Sequence, residues 1–163
     1  MTKTISKSSF IRGMKCHKAL WLHFNMPDER DETSDSQQNI FNTGYDVGAL
    51  ARDLFPGGID ASRGHPENVG ENVAFTKELI TDGQEVIYEA AFSDGETLCY
   101  IDILVKEGGK WRAYEVKATS KIKDYHIQDA AFQYYVITSA GLPLEEIYLV
   151  HLNTGYIRRG AID

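Results

Sequence analysis

Three residues that can do chemistry, Asp102, Glu115 and Lys117, lie in two apolar runs that flank the dipeptide Gly108-Gly109. A Gly-Gly pair favours a two-residue hairpin turn, because both turn positions require a positive φ. Pairing outward from such a turn places Asp102 directly opposite Glu115. Opposed side chains lie about 5 Å apart on one face, and like charges at that distance destabilise a sheet.

A divalent cation would relieve this repulsion. Two carboxylates about 5 Å apart repel by about 3 kcal/mol at an effective dielectric constant of about 20. Mg²⁺ and Mn²⁺ prefer hard oxygen ligands, lower the pKa of a bound water and polarise a phosphoryl oxygen. Lys117 would stabilise the charge that develops at the phosphorus. The pattern therefore predicts a metal site for phosphodiester hydrolysis.

A third strand extends this patch of charged residues. The dipeptide at 94–95 predicts a two-residue turn, which places Ile87 opposite Asp102 and Glu89 opposite Tyr100. Tyr100 then also lies opposite Lys117. The alternative is a solvated strand face with scattered charges. Strand alternation assigns one face to Glu89, Tyr100, Asp102, Glu115 and Lys117, and the core face to Ile101, Ile103, Tyr114 and Val116.

The elements that must position these residues follow from hydrophobic periodicity and turn residues. Ser8 or Ser9 caps a helix over 10–24, and a polar loop covers 27–38. We predict further helices over 37–54, 73–81 and 127–139, and strands over 84–92, 97–106, 110–118 and 147–152. The last strand follows a crossover helix, so it runs parallel to the strand before that helix. One domain is expected over 1–163, helical over 1–83 and βββαβ over 84–163.

Composition places the chain among globular proteins, with 163 residues, 42% of them hydrophobic and 25% charged. The start, MTKTISKSS, is polar, and no apolar run has membrane-spanning length. The two cysteines, Cys16 and Cys99, do not form a disulfide framework. We therefore expect a cytoplasmic protein with no membrane partner.

The formal charge of −7 argues against a polyanionic partner, but the charges are unevenly distributed. Residues 1–27 carry five basic side chains and no acidic one, and Arg158-Arg159 forms another basic pair. A solvated face is the simpler reading of such clusters, and His126 can instead cap a helix. The candidates for nucleic-acid contact are Arg12, Lys15, Lys121, Lys123 and His126.

Asp102, followed by Glu115-Val116-Lys117 on the next strand, resembles the D…(D/E)xK signature of the PD-(D/E)XK nuclease superfamily. More narrowly, the chain resembles the RecB-like and CRISPR-associated exonuclease branch. The similar stretches span most of the chain and include ISKSSFIRGMKCHKALWL, YEAAFSDGETLCYIDILV and YEVKATSKIKDYHIQDAAFQYYV. The resemblance implies an α/β fold with a restriction-endonuclease-like αβββαβ core, its mixed sheet flanked by helices and preceded by extra N-terminal helices.

This resemblance also implies roles for individual residues. Asp102, Glu115 and the Val116 carbonyl would bind the metal, Glu89 would add a carboxylate through water, and Lys117 would orient or activate the attacking water. The branch carries a helix motif with a Gln and a nearby Tyr. Gln133 is the candidate for that Gln, with Tyr135 as its companion, and Gln128 is the alternative.

Two features depart from that branch. Its members usually carry a metal-binding His on the helix before the sheet, whereas GYDVGALAR contains none and offers only Asp46 nearby. Relatives also often hold an iron–sulfur cluster through one N-terminal and three C-terminal cysteines. Only Cys16 is at such a position, so either the cluster is absent or the chain is a fragment of a longer protein.

The resemblance implies a Mg²⁺- or Mn²⁺-dependent nuclease, exonuclease-like, that acts on DNA in repair or defence. Two alternatives stay open: a catalytically inactive nuclease fold that docks nucleic acid or protein, and a metal-dependent phosphohydrolase with another substrate. The sequence does not distinguish DNA from RNA, or single from double strands.

Overall fold

A mixed β-sheet of six strands forms the centre of the protein, in a computed structural model that describes residues 4–29, 35–62, 68–157 and 159–160. Five α-helices accompany the sheet in these ranges. The strands are β1 Ile5–Ser6, β2 Ile59–Asp60, β3 Val86–Ser93, β4 Thr97–Glu107, β5 Lys110–Lys117 and β6 Leu144–His151. The helices are α1 Lys7–Lys15, α2 His17–Asn25, α3 Asp35–Arg52, α4 Val69–Thr81 and α5 Asp124–Ser139.

The strand order is β2-β3-β4-β5-β6, and β1 pairs with β4 outside this path. The three central strands are antiparallel, whereas β6 runs parallel to β5 as predicted from the crossover helix α5. The two-residue strands β1 and β2 were not predicted, because two residues are too few to show alternation. Of the predicted 27–38 loop, residues 30–34 lie outside the described ranges, as does Arg158 of the C-terminal basic pair.

Helices cover both faces of the sheet. Leu104 and Ala113 pack in the larger core cluster with Val136 and Ile137 of α5. The adjacent Ile103, Val105 and Tyr114 point to the opposite face and pack with Ala51 of α3. Ile101 is buried as predicted, and Cys99 on the same strand is buried as well. No helix in the described ranges has the length and apolar character needed to cross a membrane.

The predicted first helix is two helices. The backbone is extended at Cys16, with φ −162° and ψ 113°, so α1 ends there and α2 begins after it. The chain folds back so closely that a Cβ at Gly13 would lie 2.9 Å from Leu20 Cδ2. The N-cap of α1 is Ser6, two or three residues earlier than predicted.

The register of the second hairpin is confirmed, and that of the first is corrected. Gly108 and Gly109 have φ of 58° and 81°, and Ile103 pairs with Tyr114. In the first hairpin Ile87 pairs with Leu104 rather than Asp102, and Ala91 rather than Glu89 pairs with Tyr100. The Asp94 carboxylate accepts hydrogen bonds from the Glu96 and Thr97 N–H groups, which lengthens the turn. The shift is two residues, but alternation is interrupted at Glu89 and Asp102, so Ile101 packs in the larger core cluster and Ile103 in the smaller one. The predicted common face of Ile101, Ile103, Tyr114 and Val116 is therefore wrong for Ile101.

Candidate active site

The candidate site lies where β4 changes its neighbour. On one edge, β4 pairs with β5 up to Ile103–Tyr114, and further along the same edge Leu98 pairs with Ser6 of β1. Asp102 and Glu115 are the next residues beyond the last β4–β5 pair. The strands therefore separate at the two predicted metal ligands, and Tyr100 does not pair with Lys117.

Asp102 bridges this separation with its side chain. Its Oδ2 accepts a hydrogen bond of 2.6 Å from the backbone N–H of Val116. Burial, together with the charge of Glu115, raises the pKa of Asp102 to about 7, although Lys7 and the Val116 N–H oppose the shift. Near pH 7 this carboxyl group is therefore about half protonated, because its surroundings only partly compensate its charge.

Glu115 is 2% exposed and is the most enclosed acid of the site. Its Oε1 accepts hydrogen bonds from the Lys7 Nζ at 2.7 Å and from the Lys117 Nζ at 2.6 Å. Burial alone would raise the pKa of Glu115, but the two lysines hold it below its usual value. In the part of the chain that the structure describes, Glu115 Oε2 is buried without a hydrogen-bond partner.

Lys117 joins the strand to α5. Its Nζ contacts Glu115 and also the carboxylate of Asp129, whose other oxygen accepts a hydrogen bond of 3.3 Å from Gln133 Nε2. Burial opposes the charge on Lys117, but Glu115 and Asp129 outweigh it and raise the pKa of the amine. Lys117 is therefore protonated. Gln133, the candidate glutamine of the helix motif, is connected to Lys117 through Asp129.

Lys7 completes the group from the N-terminus. Strand β1 fixes its backbone, and the Ser6 side chain caps α1 by accepting a hydrogen bond of 3.3 Å from the Ser9 N–H. Burial opposes protonation of Lys7, yet the carboxylates of Glu115, Asp129 and Asp102 raise its pKa well above the usual value. The site thus has a second permanent ammonium group.

Glu89 borders the site in an unusual backbone conformation. Its φ is 52°, in the left-handed region that non-glycine residues rarely occupy. Arg52 of α3 contacts Glu89 Oε1 at 3.1 Å and Asp60 Oδ2 at 2.8 Å. Burial raises the pKa of Glu89, although Arg52 opposes the shift. Strained residues of this kind concentrate at functional sites.

A cavity of about 650 Å³ opens onto these residues. Helix α3 forms the opposite wall, where a Cβ at Gly44 or Gly48 would meet no atom within 4 Å. The predicted residue Tyr100 does not line this cavity, and its hydroxyl lies 3.2 Å from Asn72 Nδ2 of α4. The cavity is lined by Lys7, Glu89, Asp102, Glu115, Val116 and Lys117, and on the α3 side by Gly44, Tyr45, Gly48, Ala49 and Arg52.

Tyr135 and Gln128, two candidates on the predicted last helix, do not line the site cavity. Tyr135 is 57% exposed and, with Gln128, lines a separate apolar cavity beside Phe10. Asp46, the acid near the position of the missing histidine, is exposed and does not line the site cavity. Gln133, in contrast, is completely buried under Asp129.

The predicted nucleic-acid contacts divide into exposed and buried groups. Lys15 and Lys123 are exposed and lie 5.4 Å and 5.9 Å from the centroid of the Tyr125 ring. His126 is 5% exposed, and its Nδ1 accepts a hydrogen bond of 3.2 Å from the Lys123 N–H at the start of α5. Burial and the charge of Lys117 lower the pKa of His126, which suits this capping role. Arg12 and Lys121 are also exposed.

Sequence reasoning missed Lys7, Asp129 and Arg52. Asp129 precedes Gln133 by one helical turn, and this i, i+4 spacing is a usable signal. Arg52 follows Gly48 by four residues on α3, so the two residues lie on the same face of that helix. The sequence shows Lys7 only as one of the basic residues of the N-terminal stretch. Its contact with Glu115 could not be predicted, because the position of Lys7 depends on the short strand β1.

The residues present fit a divalent cation with oxygen ligands. The unpartnered Glu115 Oε2 and the carboxyl of Asp102 are hard donors. Within the described ranges, no three His, Cys, Asp or Glu side chains form a ready ion site, and a backbone carbonyl such as that of Val116 or water molecules would complete the ligand set. Cys16 is exposed and Cys99 is buried, as two free thiols.

The chain matches no protein-family model and no curated protein sequence.

Proposed function

We propose that the protein is a Mg²⁺- or Mn²⁺-dependent nuclease of the PD-(D/E)XK type, with a RecB-like arrangement of the restriction-endonuclease-like core. The observation that carries this proposal is the convergence of Asp102, Glu115 and Lys117 at one cavity, where a buried oxygen of Glu115 has no hydrogen-bond partner among the described residues. The proposed substrate is DNA, and the proposed process is DNA repair or defence.

Asp102, Glu115 and the Val116 carbonyl would hold the cation. Glu89 lines the same cavity and would contact the cation through a water molecule. The cation supplies an activated water and polarises the phosphoryl oxygen. Lys117 keeps its proton because Glu115 and Asp129 flank it. It therefore acts as a fixed positive charge that orients the attacking water and stabilises the phosphorane-like transition state, rather than as a base.

The competing proposal is a docking module without catalysis. Two observations support it. Lys7 and Lys117 already form ion pairs with Glu115 Oε1, and within the described ranges no three acidic, histidine or cysteine side chains are placed to bind an ion. Calorimetric titration with Mn²⁺ separates the two proposals. The nuclease binds the ion at submillimolar to millimolar concentration, and the docking module does not bind it.

The direct test is hydrolysis of labelled single- and double-stranded DNA, and of RNA, with Mg²⁺, Mn²⁺ or excess EDTA. We expect metal-dependent cleavage that Asp102→Ala and Lys117→Ala each reduce at least about 100-fold. Glu78→Ala and Lys77→Ala on α4 are matched controls, because both side chains are exposed and neither lines the cavity. Activity that survives both site substitutions would overturn the proposal. Cleavage of simple phosphoesters without nucleic-acid cleavage would indicate a phosphohydrolase instead.

A further inference from the structure

The charges of the site do not balance. Three carboxylates, Asp102, Glu115 and Asp129, stand against the two ammonium groups of Lys7 and Lys117. When Asp102 is ionised, this group of five side chains therefore carries one net negative charge. Both lysines share the same oxygen, Glu115 Oε1, and leave Oε2 without a partner in the described part of the chain.

The two lysines are not equivalent. Lys117 is 17% exposed and contacts both Glu115 and Asp129, so it belongs to the framework of the site. Lys7 is 31% exposed and lines the cavity. Within the described ranges, Glu115 is the one carboxylate within 4.0 Å of its Nζ.

The backbone of Lys7 is held independently of this ion pair. Ile5 N–H donates to the Glu96 carbonyl at 2.8 Å, and Ser6 pairs with Leu98. The four-carbon stem of a lysine can move its charged end while such a backbone stays in place. Loss of the contact with Glu115 therefore does not require β1 to leave the sheet.

We propose that Lys7 is the resident countercation of Glu115, which compensates this buried carboxylate in the metal-free protein and competes with a divalent cation for it. The inference rests on the proposed function, because it concerns the cation of that site. Lys7 then sets the ion concentration at which the site loads. An ammonium group 2.7 Å from a ligand carboxylate repels an incoming divalent ion, whereas its removal leaves a buried charge that the ion can compensate.

The test is calorimetric titration of Mn²⁺ into wild type, Lys7→Met, Lys7→Gln, Lys7→Arg and the surface control Lys77→Met. We expect Lys7→Met and Lys7→Gln to bind Mn²⁺ about tenfold more tightly than wild type. Lys7→Arg keeps the charge and should bind like wild type, as should Lys77→Met. Affinity that is unchanged or weaker in both neutral variants would overturn the inference, since a lysine that merely orients Glu115 gives that result.

Melting temperatures with and without Mn²⁺ provide a second readout. The ion should raise the melting temperature of Lys7→Met and Lys7→Gln more than that of wild type, because it replaces the lost positive charge. If both variants are unfolded without metal, folding on addition of Mn²⁺ supports the inference, and failure to fold with Mn²⁺ overturns it.

The same titrations separate this inference from the proposed function. Wild type that binds Mn²⁺ and neutral variants that bind it no better leave the nuclease proposal intact and refute the role of Lys7. Wild type without detectable binding refutes the nuclease proposal, while binding that appears in Lys7→Met still supports the countercation. Absence of binding in all variants refutes both.

Discussion

At the scale of single residues, the buried position of Asp102 disfavours its negative charge. Its pKa of about 7 arises from burial and from Glu115, whereas an aspartate in an unfolded chain has a pKa of about 4. Between these two values the folded state binds more protons than the unfolded state. The free energy of unfolding of the metal-free protein therefore falls as pH rises from about 4 to about 7, and this contribution is constant above pH 7.

Asp102→Asn removes this titration and keeps an oxygen that can accept the hydrogen bond from Val116. We expect the variant to be more stable than wild type by on the order of 2 kcal/mol at pH 8, with little difference at pH 4. Urea denaturation in EDTA at both pH values measures the effect. Asp82→Asn, which changes an exposed acid after α4, should follow the wild-type pH dependence. Equal destabilisation of Asp102→Asn at both pH values would contradict the prediction.

Asp129 positions the catalytic lysine of the proposed mechanism. It contacts Lys117 through one oxygen and Gln133 through the other, so Asp129→Asn weakens the ion pair without a change of shape. We expect kcat to fall at least about tenfold with KM near the wild-type value, because the ground-state contacts of the substrate are retained. Steady-state cleavage assays test this. Asp124→Asn, in the exposed first turn of the same helix, is the matched control, and an equal loss in both variants would contradict the prediction.

At the scale of elements, periodicity and turn residues predicted the larger part of the fold. Strands β3 to β6 and helices α3 to α5 were each predicted as elements of the correct type, because each carries a repeating apolar face or ends at Gly or Pro. The Gly108-Gly109 turn also fixed the β4–β5 register, and with it the proximity of Asp102 and Glu115.

The missing parts depend on contacts distant in sequence or on local backbone geometry. Strand β1 has two residues and is defined only by its pairing with β4, so Lys7 was not placed at Glu115. The interruption at Cys16 does not alter the helical spacing of apolar residues. The positive φ of Glu89 has no sequence marker, since that conformation normally indicates glycine.

Helix α3 lines the cavity with two glycines, Gly44 and Gly48, which leave room beside the proposed metal ligands. Gly48 faces the cavity, and a Cβ there would meet no atom within 4 Å. We expect Gly48→Leu to fill the cavity and lower cleavage at least about tenfold, while the melting temperature stays equal or rises because leucine favours a helix more than glycine does. Assays of cleavage and thermal unfolding test both statements together.

Gly70→Leu on α4 is the control for this substitution, since Gly70 also lies in a helix with no atom near its Cβ position and does not line the cavity. It should keep wild-type cleavage. Full activity of Gly48→Leu would show that the substrate does not enter along α3.

At the scale of the whole molecule, the buried charges connect three distant parts of the chain. Lys7 comes from the N-terminus, Glu115 from the sheet, and Asp129 from the last helix, and Lys117 joins the latter two. Removal of one partner leaves another buried charge uncompensated, which costs more than the net contribution of the pair. The site therefore depends on the correct assembly of α1, β5 and α5.

Because the overall charge is −7, a nucleic acid bound as proposed would need a local basic surface. Helices α1 and α5 contact each other, and Lys15 and Lys123 both lie beside Tyr125. Their ammonium groups form no ion pair within the described ranges, so they are available to phosphates. Neutralisation of phosphates releases counterions, and binding through this surface must weaken steeply with salt.

We expect Lys15→Glu and Lys123→Glu each to lower the affinity for a labelled oligonucleotide several-fold at low salt. Each should also reduce the slope of log affinity against log salt concentration by about 0.7 to 0.9. Fluorescence anisotropy over a salt series, with EDTA to prevent cleavage, measures both quantities. Lys77→Glu on α4 gives the same net charge at an exposed position away from Tyr125. An equal loss in all three variants would mean that net charge alone governs binding, whereas a loss confined to Lys15 and Lys123 assigns the nucleic acid to the surface formed by α1 and α5.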